Sequence, residues 1–177
     1  MRLTRSILPA ALGLCLISAG PAFADGGGGG GGDKTPTCSR GEVYDARSNG
    51  CVKQGGSLLP DKALTEYAYA LAKAERYDEA LDVLNLLQNK NTPEALNYRG
   101  YATRKLGRVD EGIGYYRKSV ALDPRYAQVR EYLGEAYVIK GDIASAKAQL
   151  RAIKTICGTG CEEYGHLAQA ITNRSSW

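Results

Sequence analysis

The chain has 177 residues, 23 lysines and arginines against 19 aspartates and glutamates, and a formal net charge of +4. This weak excess, without a block of like charge, does not favour nucleic acid as a partner. A single histidine leaves almost no material for a serine-type catalytic triad or a zinc site. We therefore expect no enzyme, no metal and no cofactor.

Residues 1–24 have the pattern of a secretory signal peptide. Two arginines precede an apolar stretch, and Ala22-Phe23-Ala24 offers small residues at the positions that a signal peptidase reads. Cleavage after Ala24 predicts a periplasmic or secreted protein. No later apolar run approaches the ~20 residues of a spanning helix, so we expect no integral membrane segment after cleavage. Lipidation at Cys15 is an alternative, which the large Leu14 before it disfavours.

Two short segments follow the signal. Residues 25–37 contain seven consecutive glycines, Gly26 to Gly32, and a glycine run of this kind predicts a flexible linker. Residues 38–58 form a knuckle closed by cysteines and a further linker. In the knuckle, Glu42-Val43-Tyr44 has strand character and Asn49-Gly50 indicates a turn.

Four cysteines remain after Cys15 is lost with the signal, namely Cys38, Cys51, Cys157 and Cys161. An even number in an exported chain is typical of two disulfides. The members of each local pair lie close in sequence, so we predict Cys38–Cys51 and Cys157–Cys161. The second pair is either a structural bridge or a redox pair, and the acidic residues at 162 and 163 oppose the thiolate that redox chemistry needs.

From residue 59 onward the apolar pattern is helical. Leu64, Tyr67, Ala68 and Leu71 fall at i, i+3, i+4 and i+7, which is one face of a helix. Similar stripes predict further helices, with Ala80, Leu81, Leu84 and Leu87 in the second, Val109, Ile113, Tyr116 and Val120 in the fourth, Val129, Tyr132, Leu133, Ala136 and Tyr137 in the fifth, and Ile143, Ala146, Leu150 and Ile153 in the sixth. Pro93 opens the third helix.

Small residues recur in step along these helices, at Ala68/Ala80, Gly100/Gly112 and Gly134/Ala146. Each pair has the same internal separation of 12, and successive pairs are 32 and then 34 residues apart. Small side chains at a fixed separation let two consecutive helices approach closely. A period near 34 is typical of a solenoid built from helix–turn–helix units.

Several short motifs at this spacing resemble the tetratricopeptide repeat family. They are Tyr132-Leu133-Gly134-Glu135-Ala136-Tyr137, Tyr77-Asp78-Glu79-Ala80-Leu81, Val109-Asp110-Glu111-Gly112-Ile113 and Val120-Ala121-Leu122-Asp123-Pro124. The resemblance implies an all-α, right-handed solenoid of three units in residues 59–158. Residues 159–177 are then a capping helix and tail, with Tyr164, Leu167, Ala168 and Ile171 on the packed side and His166 on the solvated side.

The chain also departs from the family pattern. Leu71 and Thr103 replace the aromatic residue that Tyr137 supplies, and Gly112 replaces the usual alanine. The first repeat is shorter than the second, so we expect the junction around residues 90–92 to depart most from regular stacking.

In this family the first helix of each repeat lines the inner surface, and residues facing away from the packed stripe contact the ligand. The resemblance therefore implies a peptide-binding set of Thr65, Tyr69, Asn97, Tyr101, Arg104, Gln128, Glu131, Glu135 and Val138. Tyrosines, amides and both charge signs suit an extended or helical peptide. The family's lysine–asparagine clamp for a terminal carboxylate is not matched, because Thr65, Tyr69 and Glu131 occupy those places.

The sequence therefore predicts a non-catalytic adaptor or scaffold that binds a protein or peptide in the bacterial cell envelope. Two alternatives remain open. One is a thiol–disulfide redox module that uses Cys157 and Cys161, and the other is a module that associates with its own copy.

Overall fold

The computed structural model describes residues 35–54 and 59–173. The predicted signal peptide, the glycine run and the residues after 173 lie outside the described part, so the predictions made for them stay predictions. None of the helices in these two ranges is long and apolar enough to cross a membrane.

The N-terminal knuckle is a β-hairpin. Its strands, β1 (Glu42–Asp45) and β2 (Gly50–Lys53), pair antiparallel with Val43 opposite Val52. Asn49 adopts a φ of 49° in the connecting turn, a left-handed conformation that asparagine tolerates better than most residues. The predicted Cys38–Cys51 disulfide is confirmed, and it ties β2 to the segment before β1.

Seven helices follow the hairpin within residues 59–173, and their arrangement confirms the predicted solenoid. They are α1 (Asp61–Lys73), α2 (Tyr77–Asn85), α3 (Pro93–Lys105), α4 (Val109–Leu122), α5 (Ala127–Ile139), α6 (Ile143–Cys157) and α7 (Glu162–Thr172). Helices α1/α2, α3/α4 and α5/α6 pack as the three helix–turn–helix units, while α7 packs against both α5 and α6.

One turn geometry recurs within all three units. In each turn a backbone N–H donates to the carbonyl five residues earlier, from Arg76 to Leu71, from Arg108 to Thr103 and from Asp142 to Tyr137. The turn needs one residue with positive φ, which is Gly107 at 84° and Gly141 at 76° in the second and third units. This hydrogen bond closes a helix C-terminus and reverses the chain within three residues.

The helices of the second unit touch backbone to backbone at the predicted small residues. A Cβ added to Gly112 would lie 2.9 Å from the carbonyl oxygen of Gly100, and one added to Gly100 would lie 2.7 Å from the Tyr116 ring. Tyr116 is completely buried in the space that Gly100 leaves. The glycine pair therefore determines both the distance between α3 and α4 and the position of the Tyr116 ring.

The junction between the first and second units departs from the regular connection, as the short first repeat suggests. Residues 86–92 join α2 to α3, whereas residues 123–126 suffice between α4 and α5. The Asp61 carboxylate holds this longer segment, because it accepts hydrogen bonds from the backbone N–H groups of Gln88 (2.9 Å) and Asn89 (2.7 Å). The Thr92 hydroxyl then caps α3 by accepting from the Ala95 N–H.

The hairpin covers the free face of the first unit. Val43 and Cys38 are buried in one cluster with residues of α1 and α2. The Cys38 N–H donates to the Tyr67 hydroxyl at 2.8 Å, and Arg76 donates to the Cys38 carbonyl at 2.7 Å. The hairpin is thus an N-terminal cap, a role that its sequence did not predict.

At the other end, α7 covers the last unit as predicted. Leu167, Ala170 and Ile171 are its buried residues, so the packed side includes Ala170, which the predicted stripe lacked. A Cβ on Gly134 would lie 2.4 Å from a methyl carbon of Leu167. Since solenoid ends otherwise expose apolar surface, both caps cover faces that water would reach.

We predict that Gly112→Ala and Gly114→Ala, two positions apart on α4, change stability in opposite directions. The added methyl at 112 meets the Gly100 carbonyl, while nothing lies within 4 Å of the one at 114. Gly112→Ala should lower the free energy of unfolding by roughly 1–3 kcal/mol, and Gly114→Ala should raise it by up to about 1 kcal/mol. Urea unfolding under identical conditions measures both, and equal effects would contradict the close approach.

Candidate functional site

The first helices of the units and the cap together line a groove, which we call the inner groove. Its cavity volume is about 300 Å³. Its lining residues are Tyr69 and Lys73 from α1, Tyr101, Arg104 and Lys105 from α3, Gln128, Glu131, Tyr132 and Glu135 from α5, and Glu162, Glu163 and His166 from α7. Every second helix of a unit is absent from this set, which follows from the alternation of inner and outer helices along the solenoid.

Six of the nine residues predicted from sequence lie in the inner groove, namely Tyr69, Tyr101, Arg104, Gln128, Glu131 and Glu135. The remaining three, Thr65, Asn97 and Val138, are buried and do not line it. Thr65 donates its hydroxyl proton to the Asp61 carbonyl at 2.7 Å. Whether any of the nine contacts a ligand stays a prediction.

Asn97 has a packing role in this structure. Its side chain is completely buried, and its amide nitrogen donates to the Tyr126 hydroxyl at 3.1 Å and to Gln128 Oε1 at 3.0 Å. These bonds connect α3 to the start of α5 and hold Gln128 at the edge of the inner groove.

Tyrosine rings form the apolar part of the groove wall. The Tyr101 and Tyr132 ring centroids are 5.1 Å apart, and Tyr69 stacks on Tyr98 at 4.6 Å. Burial raises the pKa of the Tyr101 and Tyr132 hydroxyls above the usual value, so both rings stay neutral at physiological pH. The sequence pattern placed Tyr132 in the packed stripe and did not predict that it also lines the groove. Its ring reaches the groove because of the way α5 packs against α3, which the sequence pattern does not show.

Arg104 connects three helices and leaves little of its charge for a ligand. It is only 5% exposed, and its guanidinium donates to Glu135 at 2.8 Å and to the Tyr116 hydroxyl at 3.3 Å. The guanidinium carbon also lies 5.6 Å from the Tyr101 ring centroid. Removing one partner of such a buried ion pair typically costs about 3–5 kcal/mol, since the other charge is left uncompensated. Arg104 therefore orders the groove floor.

Glu131 and His166 pair across the groove between α5 and α7. Glu131 Oε1 lies 2.9 Å from His166 Nδ1, and the Glu131 residue is only 5% exposed. Burial, with Glu135 and Glu163 nearby, raises the pKa of the Glu131 carboxyl to about 7 although the His166 hydrogen bond lowers it. The sequence pattern assigned His166 to the solvated side of α7, and the residue is indeed exposed. What the pattern did not predict is the contact of its Nδ1 atom with Glu131.

The second predicted disulfide is also confirmed. Cys157 ends α6 and bonds to Cys161, the N-cap of α7, with Gly158 between them at a φ of 84°. The Glu163 carboxylate and the two sulfur atoms lie within 4.8 Å of one another. These three side chains are the one cluster of metal-ligand types found in residues 35–54 and 59–173, but disulfide sulfurs are not thiolate ligands.

The repeat architecture agrees with a family model. The model described as tetratricopeptide repeat matches residues 68–127 and 99–159, which together span more than half of the chain. The chain belongs to the tetratricopeptide repeat family. In sequence, no curated protein matches this tetratricopeptide repeat protein.

Solved structures share the fold of this tetratricopeptide repeat protein at low sequence identity. The crystal structure of MamA aligns over 64% of this chain and 68% of that chain, with 17% identity and a TM-score of 0.55. The Yersinia enterocolitica type III secretion chaperone SycD, in complex with a peptide of the translocator YopD, aligns over 64% and 87%, with 17% identity and a TM-score of 0.53. PcrH in complex with the chaperone binding region of PopB aligns over 64% and 93%, with 14% identity and a TM-score of 0.53.

We predict that the Glu131 charge makes stability depend on pH. The folded-state pKa of about 7 lies above the ordinary glutamate value of 4.5. The folded protein therefore holds this proton more tightly, and it loses stability as pH rises from about 4.5 through 7. Glu131→Gln cannot ionise, and its amide oxygen can still accept from His166. The melting temperature of the variant relative to wild type should therefore rise between pH 5 and pH 8, whereas a constant difference would contradict the assignment.

Proposed function

We propose that this protein is a non-catalytic adaptor that binds a protein or peptide segment in the inner groove. The observation that carries the proposal is the groove itself, in which α1, α3, α5 and α7 present tyrosines, an amide and charges of both signs around one cavity. Tyrosine supplies a large contact area with few rotatable bonds, and amides can pair with a peptide backbone. Such a lining is suited to recognition and carries no arrangement of nucleophile and base.

The floor of the inner groove is ordered by its own contacts. Arg104 is held by Glu135 and Tyr116, and Gln128 accepts a hydrogen bond from Asn97. A groove that is ordered before binding loses less conformational entropy when a partner arrives. A modest contact area could therefore give useful affinity. The peptide complexes of SycD and PcrH support this use of a similar fold.

We further propose that the protein acts in the periplasm or outside the cell of a bacterium. The support is the signal-like pattern of residues 1–24 and the two disulfides, which persist in oxidising compartments. We assign the Cys157–Cys161 bridge a structural role, since the nearby Glu163 carboxylate opposes the thiolate that a redox pair needs.

The tyrosines provide the test. Affinity capture from a cell-envelope extract should recover a partner with wild-type protein, and the double variant Tyr69→Ala/Tyr101→Ala should bind that purified partner at least about tenfold more weakly, because two interface tyrosines each contribute more than about 1 kcal/mol when central. Tyr69→Ala alone serves as a second variant, since Tyr101 also packs against the core.

The matched control is Tyr115→Ala. Tyr115 lies on the outer helix α4 with intermediate exposure, as Tyr69 does on α1. The control should bind like wild type, and melting curves should show that all variants are folded. Equal affinity of wild type and both groove variants would overturn the proposal.

A further inference from the structure

The charges of the inner groove are sorted along its length. The lining residues from α1 and α3 bring three cations, Lys73, Arg104 and Lys105, and no carboxylate. Those from α5 and α7 bring four carboxylates and one histidine. Since α1, α3, α5 and α7 follow one another along the solenoid, a segment lying in the groove meets positive charge at one end and negative charge at the other.

We propose that the inner groove selects a segment with an acidic group at one end, a short apolar or aromatic centre and a basic group at the other, and that it binds this segment in one orientation. The acidic group lies over α1 and α3, and the basic group lies over α5 and α7. This inference rests on the proposed function and names the class of partner for the same site.

The cationic end is free to receive a carboxylate. Lys73 and Lys105 are exposed residues in the last turns of α1 and α3. Among the described residues neither ammonium group has a carboxylate partner, and Lys105 Nζ only lies 5.7 Å from the Tyr101 ring centroid. Arg104 does not count toward the free charge, because Glu135 neutralises it.

The anionic end has more negative charge than its own partners compensate. Glu131 is buried beside Glu135, with His166 as its hydrogen-bond partner, while Glu162 and Glu163 open α7 at the rim. A buried carboxylate is costly unless it is paired. The positions of the lysines at helix C-termini and of the glutamates at a helix N-terminus can also be explained by their favourable interaction with the dipoles of their own helices. Glu131 lies within α5, so a helix dipole does not explain its position. A lysine or arginine from a partner would favour the ionised form of the Glu131 carboxyl and pair with it.

The centre of the groove sets the middle of the segment. Tyr69, Tyr101 and Tyr132, one each from α1, α3 and α5, line the same cavity of about 300 Å³ as the charged groups. An apolar or aromatic residue there removes tyrosine surface from water, which is favourable by roughly 25 cal/mol per Å². Charge at the two ends then sets the orientation of the segment and contributes to its affinity.

The experiment uses peptide selection and an exchange of charges. A phage library of random dodecapeptides is selected on wild-type protein with intact disulfides, and the recovered peptides are measured by calorimetry. The test variant exchanges the charges at the rim through Lys73→Glu, Lys105→Glu, Glu162→Lys and Glu163→Lys. The control makes the same number of changes of each sign on the outer helices, through Lys118→Glu, Lys147→Glu, Asp78→Lys and Glu111→Lys, so net charge is constant throughout.

We expect the selected peptides to carry acidic and basic residues at opposite ends of an apolar or aromatic centre. The rim-exchanged variant should bind them at least about tenfold more weakly, as expected for two or more favourable ion pairs that become repulsive. It should in turn prefer the same peptides with their acidic and basic residues exchanged. The outer-surface control should bind like wild type.

Two results separate the failure of this inference from the failure of the proposed function. Peptides that lose affinity on Tyr69→Ala but show no order of charges, or bind the rim-exchanged variant as well as wild type, overturn the inference and leave the groove as a binding site. Peptides whose binding is unaffected by the tyrosine substitutions overturn both.

Discussion

The close approach of helices at small residues is the constraint on which this structure depends. At Gly100 and Gly112 the backbones of α3 and α4 meet, so that an added Cβ would lie 2.9 Å from a carbonyl oxygen. Because α3 carries no side chain at Gly100, the Tyr116 ring fits against it and points its hydroxyl at Arg104. Arg104 then reaches Glu135 on the next unit. A chain of contacts therefore connects one glycine pair to the alignment of two repeats and to the floor of the groove.

Each end of the solenoid is covered by a capping element that is associated with a disulfide. The hairpin closed by Cys38–Cys51 buries Val43 against the first unit, and α7, which follows Cys157–Cys161, buries Leu167 against the last. A short hairpin has too little core to be stable alone. The disulfide and the contacts with Tyr67 and Arg76 therefore stabilise it. The cap at the far end has a second consequence, since it brings the charged groups of α7 into the inner groove.

The polar groups in and beneath the groove divide into two sets. Arg104, Asn97 and Glu135 are committed to contacts within the protein, and their removal would disturb packing before it disturbed recognition. Lys73, Lys105 and the glutamates of α7 stand at the rim, where a partner can reach them. Glu131 lies between these sets, because it is buried and, among the residues that the structure describes, its hydrogen-bond partner is the His166 imidazole. A buried polar group that is incompletely compensated is a natural point for a ligand to act on.

The sequence by itself determined the repeat period, the helix pairs, the two disulfides and the capping helix, because each depends on spacing along a few turns of chain. Local spacing also placed six of the nine predicted residues in the groove, since residues that face away from a packed stripe must face the inner side. Only the tertiary structure decided that Thr65, Asn97 and Val138 are buried, that Tyr132 reaches the groove and that His166 meets Glu131. These outcomes depend on how one unit rotates against the next. Small differences in helix packing set that rotation, and it cannot be predicted from the periodicity of the sequence.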